Sequence, residues 1–145
     1  MSQLKIRILS IEDYDAIINL WKLAELPFKP TGRESKKVIK NHMEHEPDLF
    51  VGAFDGDDLV GVAIGSHDHR KGWINRLAVH PNYRGHGVGL LLITSVEKLL
   101  KKKGLGIYAA LIEKENTVSI KLFKKAGYVV ENSILYLTKR ESPNI

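Results

Sequence analysis

The sequence contains no cysteine. That absence excludes a disulfide scaffold, a thiolate metal site and a cysteine nucleophile together, and it is compatible with a reducing cytoplasm, the expected location. No apolar run approaches the roughly 20 residues needed to cross a bilayer, so no membrane partner is expected. The opening segment from Met1 to Ser10 lacks the apolar stretch and small-residue cleavage site of a secretory leader, and none is expected. Internal repeats, low-complexity tracts and linkers are also missing, and the reading is a single domain over residues 1–145. Nor is a metal expected. His67-Asp68-His69 reads as a turn, and His42 with His45 on one helical face has no further clustered ligand.

What is present suits a soluble domain: 43% hydrophobic and 27% charged residues, in a chain long enough to bury a core. The net charge of +5 favours anionic ligands, among them nucleic acid or a phosphorylated cofactor. Lys98, Lys101, Lys102 and Lys103 sit at helical spacing between apolar residues and read as a solvated face. No segment interleaves basic and aromatic residues as a nucleic-acid surface does, so nucleic acid is not the expected partner.

The hydrophobic period orders the elements. Leu4 to Leu9 reads as a strand, and Ser10 with Asp13 as a capping box in which Leu9 staples to Tyr14. Tyr14, Ile17, Ile18 and Trp21 then mark a helical face. Residues 26–32 form a loop, and a weaker helix is expected from about Glu34 to His45. Leu49 to Phe54 and Leu59 to Ile64 read as a hairpin turned at Asp55-Gly56-Asp57-Asp58, followed by a strand from Gly72 to Val79. A helix from Gly87 to Lys103 turns Leu92, Val96, Leu99 and Leu100 inward and pairs Glu97 with Lys101 outside. Ile107 to Ile112 is strand-like. Asn116 can cap a last helix with Ser119, Leu122, Phe123 and Ala126 inside, stopped by Gly127, and Tyr128 to Thr138 reads as a closing strand. The result is an α/β domain with a mixed sheet.

The most informative stretch runs Leu77-Ala78-Val79-His80-Pro81-Asn82-Tyr83-Arg84-Gly85-His86-Gly87-Val88-Gly89. A strand enters a glycine-rich loop that opens a helix. Alternate glycines let backbone approach a ligand, and the unpaired N–H groups of a helix's first turn attract negative charge. Together they make a phosphate site, to which Arg84 adds a cationic fork. The same glycines would also serve a plain tight turn. The spacing Gly85-x-Gly87-x-Gly89 matches neither the dinucleotide G-x-G-x-x-G fingerprint nor a P-loop.

Arg84-Gly85-His86-Gly87-Val88-Gly89 does resemble the [RQ]-x-x-G-x-[GA] motif of the GNAT superfamily of N-acetyltransferases, preceded as there by Leu-Ala-Val and His-Pro. Further on, the segment from Asn116 to Tyr128 is similar to the family's N-x-x-[AS]-x-x-[LF]-[YF]-x-x-x-G-[FY]. The resemblance extends over most of the chain, including the two N-terminal helices and the Asp48-Leu49-Phe50-Val51 strand. His69-Arg70-Lys71-Gly72-Trp73 also resembles a bacterial and archaeal subgroup of small GNAT proteins. The family fold implied is a mixed, mostly antiparallel central sheet flanked by about four helices, with splayed parallel strands at a cofactor cleft.

The resemblance implies acetyl-CoA as acyl donor. Its pyrophosphate would sit on backbone N–H groups of Arg84, Gly85, His86, Gly87, Val88, Gly89 and Leu90. Its pantetheine would lie along Leu77, Ala78 and Val79, where a backbone N–H would polarise the thioester, with Asn116 and Phe123 on the far side. Asn116 read on its own is also a plain helix cap. The reaction implied is direct attack of a primary amine, on a small molecule or protein, in a ternary complex. Phe123 stands where many relatives carry a tyrosine acid, and Leu111 where N-terminal acetyltransferases carry a glutamate, so no catalytic acid or base is assigned. Tyr83, Tyr108, Tyr128, Tyr136, Glu25 and Asp68 are substitutes, each with a plain structural reading beside it. These two departures prompt an alternative, a non-catalytic acyl-CoA-binding or sensing module. Arg33, Arg70, Lys71 and Arg76 lie in segments expected to flank the acceptor, which favours one bearing a carboxylate or phosphate. A homodimer is compatible with the family.

Overall fold

The computed structural model describes residues 4–145, so Met1 to Gln3 of the segment read for a leader lie outside the described residues. The sheet has five strands: β1 (Leu4–Ile8), β2 (Phe50–Asp55), β3 (Asp58–His67), β4 (Gly72–Val79) and β5 (Tyr108–Ala109). They lie in sequence order across the sheet. The first four are antiparallel, and β5 joins β4 in parallel. Helices α1 (Tyr14–Leu23), α2 (Lys36–His45), α3 (Val88–Lys102) and α4 (Thr117–Lys125) complete the architecture. No helix among the described residues is long and apolar enough to cross a membrane.

Caps set the helix starts. Ser10 N–H donates to the Asp13 carboxylate at 2.8 Å, so the expected box is present, but it opens a 3-10 turn (Ile11–Asp13) that leads into α1. The Ser35 hydroxyl accepts from Val38 N–H, which starts α2 two residues later than the pattern suggested. Glu34, left outside the helix, is buried.

Two cores lie on the two faces of the sheet. Alternation along β2 sends Val51 and Ala53 to the α3 side, and Phe50 and Phe54 to the side of α1 and α2. The α3 core is built on Leu92, Ile93, Val96 and Leu100 and reaches Phe123 of α4. The other holds Ile17, Leu20 and Trp21 of α1 against Ile39 and Met43 of α2. Each such side chain removed from water contributes roughly 1.5–3 kcal/mol.

One irregularity determines the site. Val62 pairs with Ala78 and Ile64 with Asn75, so Arg76 and Leu77 together oppose Ala63. This is a β-bulge, with Arg76 at φ +55°. Ile74 and Ala78 are four residues apart and would share a face in a regular strand. Here Ile74 joins the α3 core and Ala78 the α1 core.

Three expectations are corrected. Strand β5 spans Tyr108–Ala109 rather than Ile107 to Ile112, because only Gly72 and Trp73 pair with it before the two chains diverge. Tyr128 to Thr138 forms no strand, because the segment joins no sheet ladder; Val129, Ile134, Leu135, Tyr136 and Leu137 are exposed. Glu97 makes no ion pair with Lys101 among the described residues. Its carboxylate instead accepts the Tyr128 hydroxyl at 2.7 Å, which ties α3 to the end of α4.

Candidate functional site

Beyond Trp73, β4 has no partner on its β5 side among the described residues. The gap is a cleft of about 370 Å³. One wall is Ile74, Asn75, Arg76 and Leu77 of β4; the other is Leu111, Ile112, Glu113 and Lys114, continuing to Asn116, Ser119 and Phe123 at α4. Leu26, Pro27 and Arg33 of the loop between α1 and α2, together with Tyr136, border it. The bulge turns the backbone of β4 at this opening, so its edge there is free to pair with an extended ligand.

At the end of that edge the chain passes through a 3-10 turn (Pro81–Tyr83) into the glycine loop. Gly85 and Gly87 have φ of +81° and +80°, the left-handed region that L side chains enter at a cost of roughly 1–2 kcal/mol. The hydrogen-bond ladder of α3 begins with Leu91 N–H donating to Gly87 C=O at 3.0 Å. The amides just ahead of it belong to the unpaired first turn of a 15-residue helix. Arg84 and His86 are exposed. Val88 is buried in the core, and at Gly89 a Cβ would overlap the Leu122 side chain of α4. The third glycine of the motif is therefore a packing residue.

Asn116 caps α4, its Oδ1 accepting Ser119 N–H at 3.2 Å, and also borders the cleft. Its cap role is found, and its place on the cleft border is compatible with the other reading. Phe123 is buried, with its ring edge-on to Tyr128 at 4.9 Å. Of the segments expected to flank an acceptor, the loop bearing Arg33 does border the cleft. The turn bearing Arg70 and Lys71 does not: Asp68 accepts both of their N–H groups, at 3.0 and 2.8 Å, and folds the turn on itself.

The substitutes for acid and base sort themselves by hydrogen bonding. The Tyr83 hydroxyl donates to Asp55 at 2.6 Å, that of Tyr108 to Leu105 C=O at 3.2 Å and that of Tyr128 to Glu97. Desolvation, then the bond to Glu97, pushes the Tyr128 phenol well above its usual range. Neither Glu25 nor Asp68 borders the cleft, whereas Tyr136 does. Sequence reasoning missed Glu113, the carboxylate of the lining; its signal was the polar break that follows the apolar run from Ile107 to Ile112.

No group of histidines and carboxylates able to hold a metal occurs among the described residues. His67 pairs instead with Glu46, Nε2 to Oε1 at 2.8 Å, and His42 packs edge-on to Phe50.

An open strand edge leading to a glycine-rich helix start is the geometry the GNAT resemblance requires. The acetyltransferase (GNAT) family matches residues 14–128. The chain belongs to that family. It is 31% identical over 137 residues to an acetyltransferase of Sodalis glossinidius, covering 94% of this chain and 95% of the relative. A Pectobacterium atrosepticum acetyltransferase is 31% identical, with 86% and 87% covered. Among solved structures, the PaiA N-acetyltransferase of Thermoplasma acidophilum in complex with coenzyme A superposes with a TM-score of 0.78. Its sequence identity is 25%, and 90% of this chain and 92% of that one are covered. This GNAT protein is thus an acetyl-CoA-dependent N-acetyltransferase, with acetyl-CoA as its acyl donor.

Proposed function

We propose that the protein transfers the acetyl group of acetyl-CoA to a primary amine by direct attack, with both substrates bound at once. The observation that carries this reading is the continuity of the unpaired β4 edge with the start of α3. The pyrophosphate would be held by the backbone amides from Arg84 to Leu90, the pantetheine along Leu77, Ala78 and Val79, and the thioester in the gap, opposite Asn116 and Phe123. Residues 1–145 then act as one domain.

An amine of pKa about 10.4 must lose a proton before attack. The buried Phe123 ring offers no hydroxyl to the leaving thiolate. That thiolate leaves without protonation if its pKa is near the ~8.5 of cysteine. Positioning two reactants is worth ~7–11 kcal/mol, whereas general acid–base help is worth roughly 10²–10⁴-fold, or about 3–5 kcal/mol. The cleft can therefore work by alignment and backbone polarisation, with Glu113 accepting the amine proton directly or through water.

Calorimetric titration with acetyl-CoA and CoA, followed by thiol-release assays on an amine panel, tests this. Wild-type protein is expected to bind in the micromolar range, and Gly87→Glu to lose that binding, because a carboxylate and a Cβ would enter the phosphate loop. Binding without turnover of any amine would convert the reading to a sensing module. No binding up to millimolar concentrations would overturn both.

Dimerisation belongs to the same proposal. Leu135 and Leu137 are 82% and 83% exposed in a segment outside any sheet ladder. A second copy of the chain would cover them.

A further inference from the structure

Arg76, which borders the cleft, has buried side-chain donors without a hydrogen-bonding partner among the described residues. The Arg76 guanidinium lies against the Trp21 ring, 4.3 Å from its centroid, and its Nε and Nη2 are buried with no hydrogen-bond acceptor. Trp21 Nε1 is also buried and unaccepted. Buried donors without acceptors are rare because each forgoes its bonds to water. Burial lowers the Arg76 pKa, opposed by the negative charge of Glu34. Glu34 itself is committed elsewhere: its carboxylate accepts Lys29 N–H at 2.6 Å and pairs with Arg33 Nε at 3.2 Å. The bulge, at a positive φ, is what aims this side chain toward α1 rather than along the regular face of β4.

Other charged groups bordering the cleft are Arg33, Lys114 and Glu113. The acceptor side is thus rich in cations and donors. The Nε–Nη2 edge of a guanidinium presents two parallel N–H groups, the geometry that a carboxylate accepts with both oxygens. No hydrogen bond among the described residues fixes that fork in place. Both donors are buried beside the cleft, so a carboxylate that reaches them replaces the acceptor they lack.

We infer that Arg76 receives a carboxylate of the acceptor, so the amine acetylated here belongs to a molecule that also carries a carboxylate. This rests on the proposed acetyl transfer and specifies its substrate class. The basic residues of the turn at Arg70 and Lys71, which do not border the cleft, play no part in it.

The test uses paired acceptors, free amino acids and dipeptides against their C-terminal amides, with phosphoethanolamine as a third arm. Wild-type kcat/KM is expected to favour each free carboxylate by roughly 10- to 100-fold, the scale of a charged hydrogen bond. Arg76→Gln should erase that preference through KM and leave acetyl-CoA affinity unchanged. A preference for the amide or the phosphoethanolamine, or one that survives Arg76→Gln, would overturn the inference. A second readout does not need turnover. In a Trp73→Phe background, N-acetylated amino acids should perturb Trp21 fluorescence, their amides should not, and Arg76→Gln should abolish the response. No response to any carboxylate would also overturn the inference. Failure of the broader reading looks different, since acetyl-CoA itself would then not bind.

Discussion

Gly87 and Gly89 stand two residues apart in one motif, yet the structure assigns them different work, and substitution separates the two. At Gly87 a Cβ meets nothing within 4 Å, but φ is +80°. Alanine there is penalised for conformation alone, by about 1–2 kcal/mol, less ~0.4–1 kcal/mol regained from a less flexible unfolded chain. Asparagine tolerates the left-handed region better, so Gly87→Asn should lose less stability than Gly87→Ala despite its bulk. Gly89 lies inside α3, where alanine should gain roughly 0.5–1 kcal/mol in helix preference. Its Cβ, however, overlaps Leu122 Cδ2, and overpacking costs about 1–3 kcal/mol. The difference for Gly89→Ala is ~0–2.5 kcal/mol of destabilisation in the wild type, toward the low end because Leu122 Cδ2 is the far end of a half-buried side chain. In a Leu122→Ala background the overlap is gone, and the same change should stabilise by ~0.5–1 kcal/mol. Urea denaturation of the four proteins of that cycle and of the two Gly87 variants, with calorimetric titration of CoA in parallel, measures both effects. Two results would refute the reasoning: Gly89→Ala equally damaging in both backgrounds, or Gly87→Asn no milder than Gly87→Ala.

Other consequences are as direct. Tyr128→Phe should cost roughly 1.5–3 kcal/mol, because the Glu97 carboxylate loses a partly buried donor. The pKa of Tyr128 is raised in the folded state. Its contribution is thus complete below the unfolded phenol pKa of about 10 and falls as pH rises beyond it. Wild type should lose stability above pH ~10 more steeply than Tyr128→Phe, and parallel alkaline unfolding curves would count against this. Glu113→Gln should lower kcat by roughly 10²-fold with acetyl-CoA affinity unchanged; an unaltered kcat would assign the proton to water alone. Leu135→Lys with Leu137→Lys should leave a monomer by light scattering where wild type is a dimer, and a monomeric wild type would remove the dimer from the proposal.

Much of this was legible because period and cap chemistry are local. Alternation from Leu49 to Phe54, the 3.6 period through Leu92, Val96 and Leu100, and the Asn116 cap all depend on neighbours within one or two turns, and all are found. The glycine loop was legible for the same reason. What stayed hidden depends on pairing across the fold. Apolar residues from Ile107 to Ile112 and Tyr128 to Thr138 fit a strand, yet a strand needs a backbone partner, and sequence period does not supply one. The bulge at Arg76 is of this kind too. A strict alternation from Gly72 to Val79 places Ile74, Arg76 and Ala78 on one face, which would bury a cation between two apolar residues. The bulge resolves that conflict. It sends Ile74 and Ala78 to opposite cores and leaves the guanidinium on Trp21 at the cleft. A charge that breaks a strand's pattern is therefore a signal in itself: it marks where the ladder bulges and where the strand edge beside the cleft opens.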